Sequence, residues 1–171
     1  QAYLRTPNTA AGLGLAFEKA VQRNPEGIAL RFEDQSFSYT ELNGWANQIA
    51  HYYLSLGAKK GDVVALMVEN RPEMVASVIG LAKLGVTIAL LNTSQVGKVL
   101  AHSINLVKPI AVIVGDECHA AVAEIRDELN IAADRFHWFA DQPTQQNPGQ
   151  APEGFINLAE VIDTFPKFNP S

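Results

Sequence analysis

At 171 residues the chain is long enough for one domain with a real core, burying roughly two-thirds of its unfolded surface. With 47% hydrophobic and 18% charged residues it has an ordinary globular composition, and its net charge of −5 excludes a phosphate-neutralising nucleic-acid surface. One cysteine, Cys118, excludes an internal disulfide and points to a reducing, cytoplasmic compartment. No apolar run reaches the ~18 residues needed to span a bilayer. The start at Gln1 carries no charged-then-apolar leader, so no signal peptide is expected and the start reads as trimmed.

Along residues 10–24, Leu13, Ala16, Phe17, Ala20 and Val21 recur at helical spacing, and the helix is expected to end before Asn24-Pro25. Ile28, Leu30 and Phe32 alternate with Ala29, Arg31 and Glu33, predicting a half-buried strand over 28–33. A turn at Asp34-Gln35 and a second strand over 36–39 complete an antiparallel hairpin. Thr40 then reads as the N-cap of a helix, with Glu41 facing the positive end of its dipole. Leu42, Trp45, Ala46, Ile49, Tyr53 and Leu56 follow at helical spacing, and Gly57 stops the helix.

From Gly61 the rhythm changes to buried strand, helix, buried strand. Residues 63–68, 86–91 and 110–114 are continuously apolar, the pattern of neighbouring parallel strands covered on both faces. Asn70 is placed as the cap of a helix with Pro72 in its first turn, turning Met74, Val75, Val78, Ile79 and Ala82 inward and ending at Gly85. Further helices are predicted over 95–106 and from Asp116, as N-cap, to 129, with a short strand at 136–139. The polar stretch 141–154 reads as a surface loop, 157–164 as a turn or two of helix, and 165–171 as a linker-like tail. The alternation predicts one α/β unit over 1–171: a doubly wound, mainly parallel sheet with helices on both faces, plus the N-terminal hairpin.

Candidate chemistry is sparse. No Gly-x-Gly-x-x-Gly or Gly-x-x-x-x-Gly-Lys loop follows a strand, and Gly12-Leu13-Gly14 is expected to be a loop leading into the first helix. Asn92-Thr93-Ser94 is expected to cap helix 95–106, the alternative being a polar contact at a site mouth. Asp116-Glu117-Cys118-His119 invites a metal reading. Helical neighbours point about 100° apart, however, so the plainer roles are Asp116 as cap, Glu117 on the dipole and Cys118 in the core. His51, His102 and His137 show no triad pattern and read as surface or packing residues. Lys83 falls in the last turn of its helix, where it favours the dipole, and Gly85 supplies a left-handed stop.

The run Phe37-Ser38-Tyr39-Thr40-Glu41-Leu42-Asn43 resembles the first core motif of the AMP-forming acyl-CoA synthetase and adenylation-domain superfamily. Residues 81–92, with Leu81-Ala82-Lys83-Leu84-Gly85, resemble the second. Glu69-Asn70-Arg71-Pro72-Glu73 and the 80–85 run are most similar to the branch of fatty acid transport proteins and very-long-chain acyl-CoA synthetases. The resemblance runs from residue 12 to the 131–139 region and is weakest over 141–156. It implies a piece of the large N-terminal domain of that fold, leaning on a second sheet. It also implies a parent that uses ATP, Mg2+ and coenzyme A to convert a long- or very-long-chain fatty acid to acyl-CoA, through an acyl-adenylate.

The family's phosphate loop, aromatic-Thr-Glu magnesium motif, ribose-binding Asp and catalytic Lys have no counterpart in 1–171. No catalytic, cofactor-binding or metal residue is therefore assigned, no cofactor is expected in the fragment itself, and the fragment is expected to be inactive. The parent's expected partners are fatty acid, ATP and CoA, without nucleic acid, in the cytoplasm and peripheral at the inner membrane face. The fragment is expected to form a homodimer through apolar surface near the hairpin or around Phe165 and Phe168. Alternatives are a ligase for another acid, such as an aryl or carnitine-like substrate, and a flavodoxin-like binding module without ligase activity.

Overall fold

A computed structural model describes residues 9–141 and 149–171. The expected 141–154 loop lies outside the described residues over 142–148. Helix α1 (Thr9–Arg23) leads into the hairpin β1 (Ile28–Phe32) and β2 (Gln35–Ser38), followed by α2 (Tyr39–Ser55). Then come β3 (Val63–Met67), α3 (Pro72–Lys83), β4 (Thr87–Leu90), α4 (Gly97–Val107), β5 (Ala111–Gly115) and α5 (Asp116–Ile125). A single 3-10 turn, β6 (Phe136–Phe139), β7 (Ile156–Asn157) and α6 (Leu158–Ile162) complete the described chain.

The five strands β3 to β7 form one parallel sheet in the order β4-β3-β5-β6-β7, apart from the two-stranded antiparallel hairpin. Strand alternation splits the core in two. Val64, Leu66, Ile113 and Phe139 face α2, α3 and α6, whereas Ala65, Met67, Val112, Val114 and Trp138 face α4 and α5. The strands at 63–68, 86–91 and 110–114 are thus parallel neighbours, as their apolar runs predict. β7 pairs with β6 through only two residues, too short a run to leave a periodic signal.

Several local expectations are corrected. Gly12 and Gly14 lie inside α1 rather than in a loop, and Gly14 lets α1 approach α3 closely, since a Cβ there would come within 2.9 Å of the Lys83 Cα. α1 meets α3 through Gly14, while Leu13 and Leu15 stay exposed. The hairpin turn is Glu33-Asp34, with Glu33 at φ +49°, and an irregularity between Ile28 and Leu30 turns Ile28 outward. The N-cap of α2 is Ser38, not Thr40. The Ser38 Oγ accepts from the Glu41 N–H at 3.1 Å while the Glu41 carboxylate accepts from the Ser38 N–H at 2.8 Å. This reciprocal box needs the Ser-x-x-Glu spacing, which Ser38 satisfies and Thr40 cannot. Thr40 instead donates to the Pro25 carbonyl at 3.0 Å.

α3 begins one residue later than expected. A residue before proline is kept out of the helical region, so Arg71, extended at φ −149°, occupies the cap position in place of Asn70. At α5 the cap is Gly115, and Asp116 is the first helical residue, its carboxylate accepting from the Trp138 indole at 3.1 Å. The expected helix to 129 ends as α-helix at Ile125 and closes with the 3-10 turn. Of the inward set on α3, Met74, Val75 and Val78 are only half-buried; Ala76, Leu81 and Ala82 are fully covered, because α1 and α2 pack on this helix as well as the sheet.

His137 sits in the middle of the sheet, fully buried between two tyrosines of α2. The Tyr53 hydroxyl lies 2.6 Å from Nδ1 and the Tyr52 hydroxyl 3.1 Å from Nε2, so one hydroxyl donates to the bare nitrogen and the other accepts from the ring N–H. Burial, reinforced by the charge of Arg135, pushes the imidazole down to about 3. The folded state therefore holds His137 neutral, while the unfolded chain binds a proton at the ordinary histidine value. Its contribution is complete above pH ~6.5 and is lost as pH falls toward 3, at about 1.4 kcal/mol per pH unit. Urea unfolding across that window is expected to show this slope, and His137→Gln to remove it.

Candidate functional site

In an open parallel sheet the natural ligand crevice opens at strand carboxyl ends, where successive crossovers leave for opposite faces. Here that point lies between β3 and β5, since α3 covers one face and α5 the other. The chain closes it with its own side chains. From the cap of α3, the Arg71 guanidinium donates to the Ala140 carbonyl at 2.7 Å and the Phe139 carbonyl at 3.3 Å, both at the end of β6. It also pairs with Glu73 at 3.2 Å and Glu117 at 3.1 Å.

The second Glu117 oxygen accepts from the Glu69 backbone N–H at 2.8 Å, so one carboxylate of α5 ties off the end of β3. It lies so close over Gly115 that a Cβ there would require the carboxylate to shift. Two carboxylates, Glu73 and Glu117, thus share this one arginine, so the cluster has a surplus of negative charge. Glu117 is thus an ion-pair partner and not only a dipole residue. Cys118 is buried beneath it, its thiol pushed up to about 11 by desolvation and by Glu117, and so is poorly nucleophilic. No group of three metal-ligating side chains occurs among the described residues.

Beside the filled crevice, the ends of β3 and β4 open into a cleft of about 550 Å³. Leu66, Val68, Met74 and Leu90 form its apolar floor, and Glu69, Asn70, Asn92 and Thr93 its polar mouth. Asn92-Thr93-Ser94 does not cap α4. The Asn92 Oδ1 accepts from the Ser94 N–H at 2.9 Å, closing a tight turn, and α4 starts at Gly97 without a side-chain cap. Asn92 and Thr93 instead line the cleft at the ends of β3 and β4. Arg71, the centre of the cluster, falls in the Glu69–Glu73 run that carries the family resemblance, but only its place before Pro72, which holds it out of the helix, hints at its structural role. His51 meets the Phe168 carbonyl at 2.9 Å, and His119 folds back on its own helical turn, its Nδ1 2.9 Å from the Asp116 carbonyl and 3.3 Å from the Asp116 carboxylate.

Because the pair is largely desolvated, removing one partner strands the other. Arg71→Met is expected to cost roughly 3 kcal/mol in denaturant unfolding, and the double variant Arg71→Met/Glu117→Gln to recover much of it.

The family profile described as AMP-binding enzyme matches residues 17–161. The chain is 35% identical over 121 residues to the medium/long-chain-fatty-acid–CoA ligase FadD6 of Mycobacterium tuberculosis, covering 71% of this chain and 20% of that protein. It is 40% identical over 115 residues to long-chain fatty acid transport protein 1 of Rattus norvegicus, covering 66% and 18%. The chain thus spans about a fifth of the length of the curated relatives it matches. Among solved structures, an anthranilate CoA ligase bound to anthranoyl-AMP superposes with TM-score 0.78 at 22% identity, over 93% of this chain and 28% of that one. A Mycobacterium tuberculosis fatty acyl CoA synthetase superposes with TM-score 0.74 at 21% identity, over 96% and 30%. The hairpin and the five-stranded parallel sheet with its flanking helices are therefore the fold seen in these ligases, and the chain belongs to the AMP-binding enzyme family.

Proposed function

We propose that this chain is the N-terminal portion of an AMP-forming fatty acid–CoA ligase acting on long or very long acyl chains. In that reading the whole protein condenses a fatty acid with ATP to an acyl-adenylate, releases pyrophosphate, and passes the acyl group to coenzyme A. The observation that carries it is the match over residues 17–161, together with 35–40% identity to a fatty-acid–CoA ligase and a fatty acid transport protein.

The crevice supports a division of labour within that protein. Arg71 is committed to two carbonyls and two carboxylates, and the surrounding surplus of acidic groups does not fit a triphosphate. Binding of ATP, Mg2+ and CoA is accordingly assigned to parts of the ligase beyond these residues, and this segment is a scaffold without catalytic groups. No described helix is long and apolar enough to cross a membrane; we place the ligase in the cytoplasm, peripheral at the membrane face that delivers its substrate.

The test is fatty-acid-dependent ATP–pyrophosphate exchange by the whole protein, beside calorimetry of residues 1–171 with MgATP. Exchange with long-chain acids and no tight binding by the segment are expected. A whole protein inert toward every fatty acid, or tight magnesium-dependent binding by the segment, would overturn the corresponding half. We further infer that the 171-residue chain on its own forms a two-fold dimer, since Ile28, Leu90, Val96, Val99, Leu106 and Phe168 are all at least half exposed. Sedimentation is expected to show the dimer at high micromolar concentration, and a clean monomer there contradicts it.

A further inference from the structure

Residues 165–171, with two prolines and little apolar periodicity, have the composition of a linker, yet they lie against α2 in an ordered arrangement. Asn43, Asn47 and His51 recur every four residues on α2, with Gln48 beside them, forming one polar stripe along the helix. That stripe reads mainly backbone. The Gln48 amide donates to the Phe165 carbonyl at 3.1 Å, the Asn47 amide to the Lys167 carbonyl at 2.7 Å, and the His51 Nε2 meets the Phe168 carbonyl at 2.9 Å.

At the far end, three donors converge on a single oxygen. The Asn169 Oδ1 accepts from Asn43 at 3.1 Å, Asn47 at 3.0 Å and the Lys83 ammonium at 3.0 Å. Lys83 uses its two remaining protons on the Asn43 Oδ1 at 2.7 Å and the Glu18 carboxylate at 3.0 Å. Its side chain is 1% exposed, and burial lowers its pKa from the usual lysine value while Glu18 opposes the shift. An ammonium with all three protons engaged and no solvent access has no donor left for a ligand.

We infer that Lys83, the lysine of the Leu-x-Lys-x-Gly block, is the lock of a strap: it fastens residues 165–169 along α2 and so sets the path of the chain as it leaves the sheet. The lock joins four segments, since Glu18 belongs to α1, Asn43 to α2, Lys83 to α3 and Asn169 to the strap. Side-chain donors aimed at main-chain carbonyls hold the strap in place, while the Phe165 and Phe168 rings pack edge-on against Tyr52 and His51 and the Asn169 amide takes the lock itself. This holds whether or not the whole protein is a ligase.

The test uses the 171-residue chain and two readouts. One is the rate of chymotryptic cleavage after Phe168. The other is the shift of the His51 ring protons, which the Phe168 ring displaces from 4.9 Å away in an edge-on contact. Lys83→Met and Asn169→Ala are each expected to raise cleavage roughly tenfold, the scale of one lost charge-assisted hydrogen bond, and to return the His51 resonances toward free histidine. Val64→Ala, which loosens the core without touching the strap, is expected to leave the His51 shift in place. Should Lys83→Met fail to fold, Asn169→Ala decides alone, because Lys83 keeps Glu18 and Asn43 there. Parental cleavage and parental His51 resonances in Asn169→Ala would overturn the inference, as would the same loss of the His51 shift in Val64→Ala.

Discussion

At Gly80 the backbone of α3 passes so close to α2 that an added Cβ would lie 2.5 Å from the Ala46 carbonyl oxygen. Much of the molecule is arranged by that approach. Bringing the two helix backbones together places Lys83 within hydrogen-bonding distance of Asn43, and Asn43, Asn47 and Lys83 all within reach of Asn169. The same contact presses α2 onto the sheet, where Tyr52 and Tyr53 close over His137. α1 joins through its own glycine, Gly14, against Lys83. Helices that meet through glycine leave no gap between backbones, so the polar groups at the margin of the contact must be satisfied by each other rather than by water.

Buried cations in this chain are held largely by its own polar groups, although the Arg71 Nε and the Glu73 Oε2 find no hydrogen-bond partner. Arg71 spans two carbonyls and two carboxylates, and Lys83 has a partner for each of its protons. Arg126 donates to the carbonyls of Ala133 and Gly154 while lying over the Phe136 ring, 3.8 Å from its centroid, and so fastens the segment before β7 to the end of α5. Each cation joins elements distant in sequence. At the point between β3 and β5 where an α/β sheet ordinarily opens a crevice, the side chains of Arg71 and Glu117 fill the space.

Elements whose signal is local were legible from the residues. The continuous apolar runs of β3, β4 and β5, the amphipathic spacing of α2 and the left-handed stop at Gly85, φ +69°, all depend on neighbours within a few positions. Caps were less so: Ser38 and Thr40 are both good capping types, and only the distance to Glu41 separates them. Family membership was legible too, through scaffold residues: Ser38 and Glu41 form a capping box, and Lys83 and Gly85 finish α3. The cleft was half legible, because Asn92-Thr93-Ser94 could serve either a cap or a mouth, and the choice turned on where α4 begins.

By itself the sequence determined the periodicities, hence which segments are strands and which are helices, since these follow from the pleat and the helical turn within each segment, and the alternation of apolar strands with helices implied a parallel sheet. Only the tertiary structure decided which charges meet. Arg71 and Glu117 are 46 positions apart, and Lys83 and Asn169 86. Nothing in their immediate neighbours marks them as partners. Their pairing depends on crossovers that carry α3 and α5 away from adjacent strands, and on a strap that returns to α2 after the sheet is complete. Hydrophobic burial is written residue by residue, whereas the geometry of an ion pair exists only once both backbones are in place.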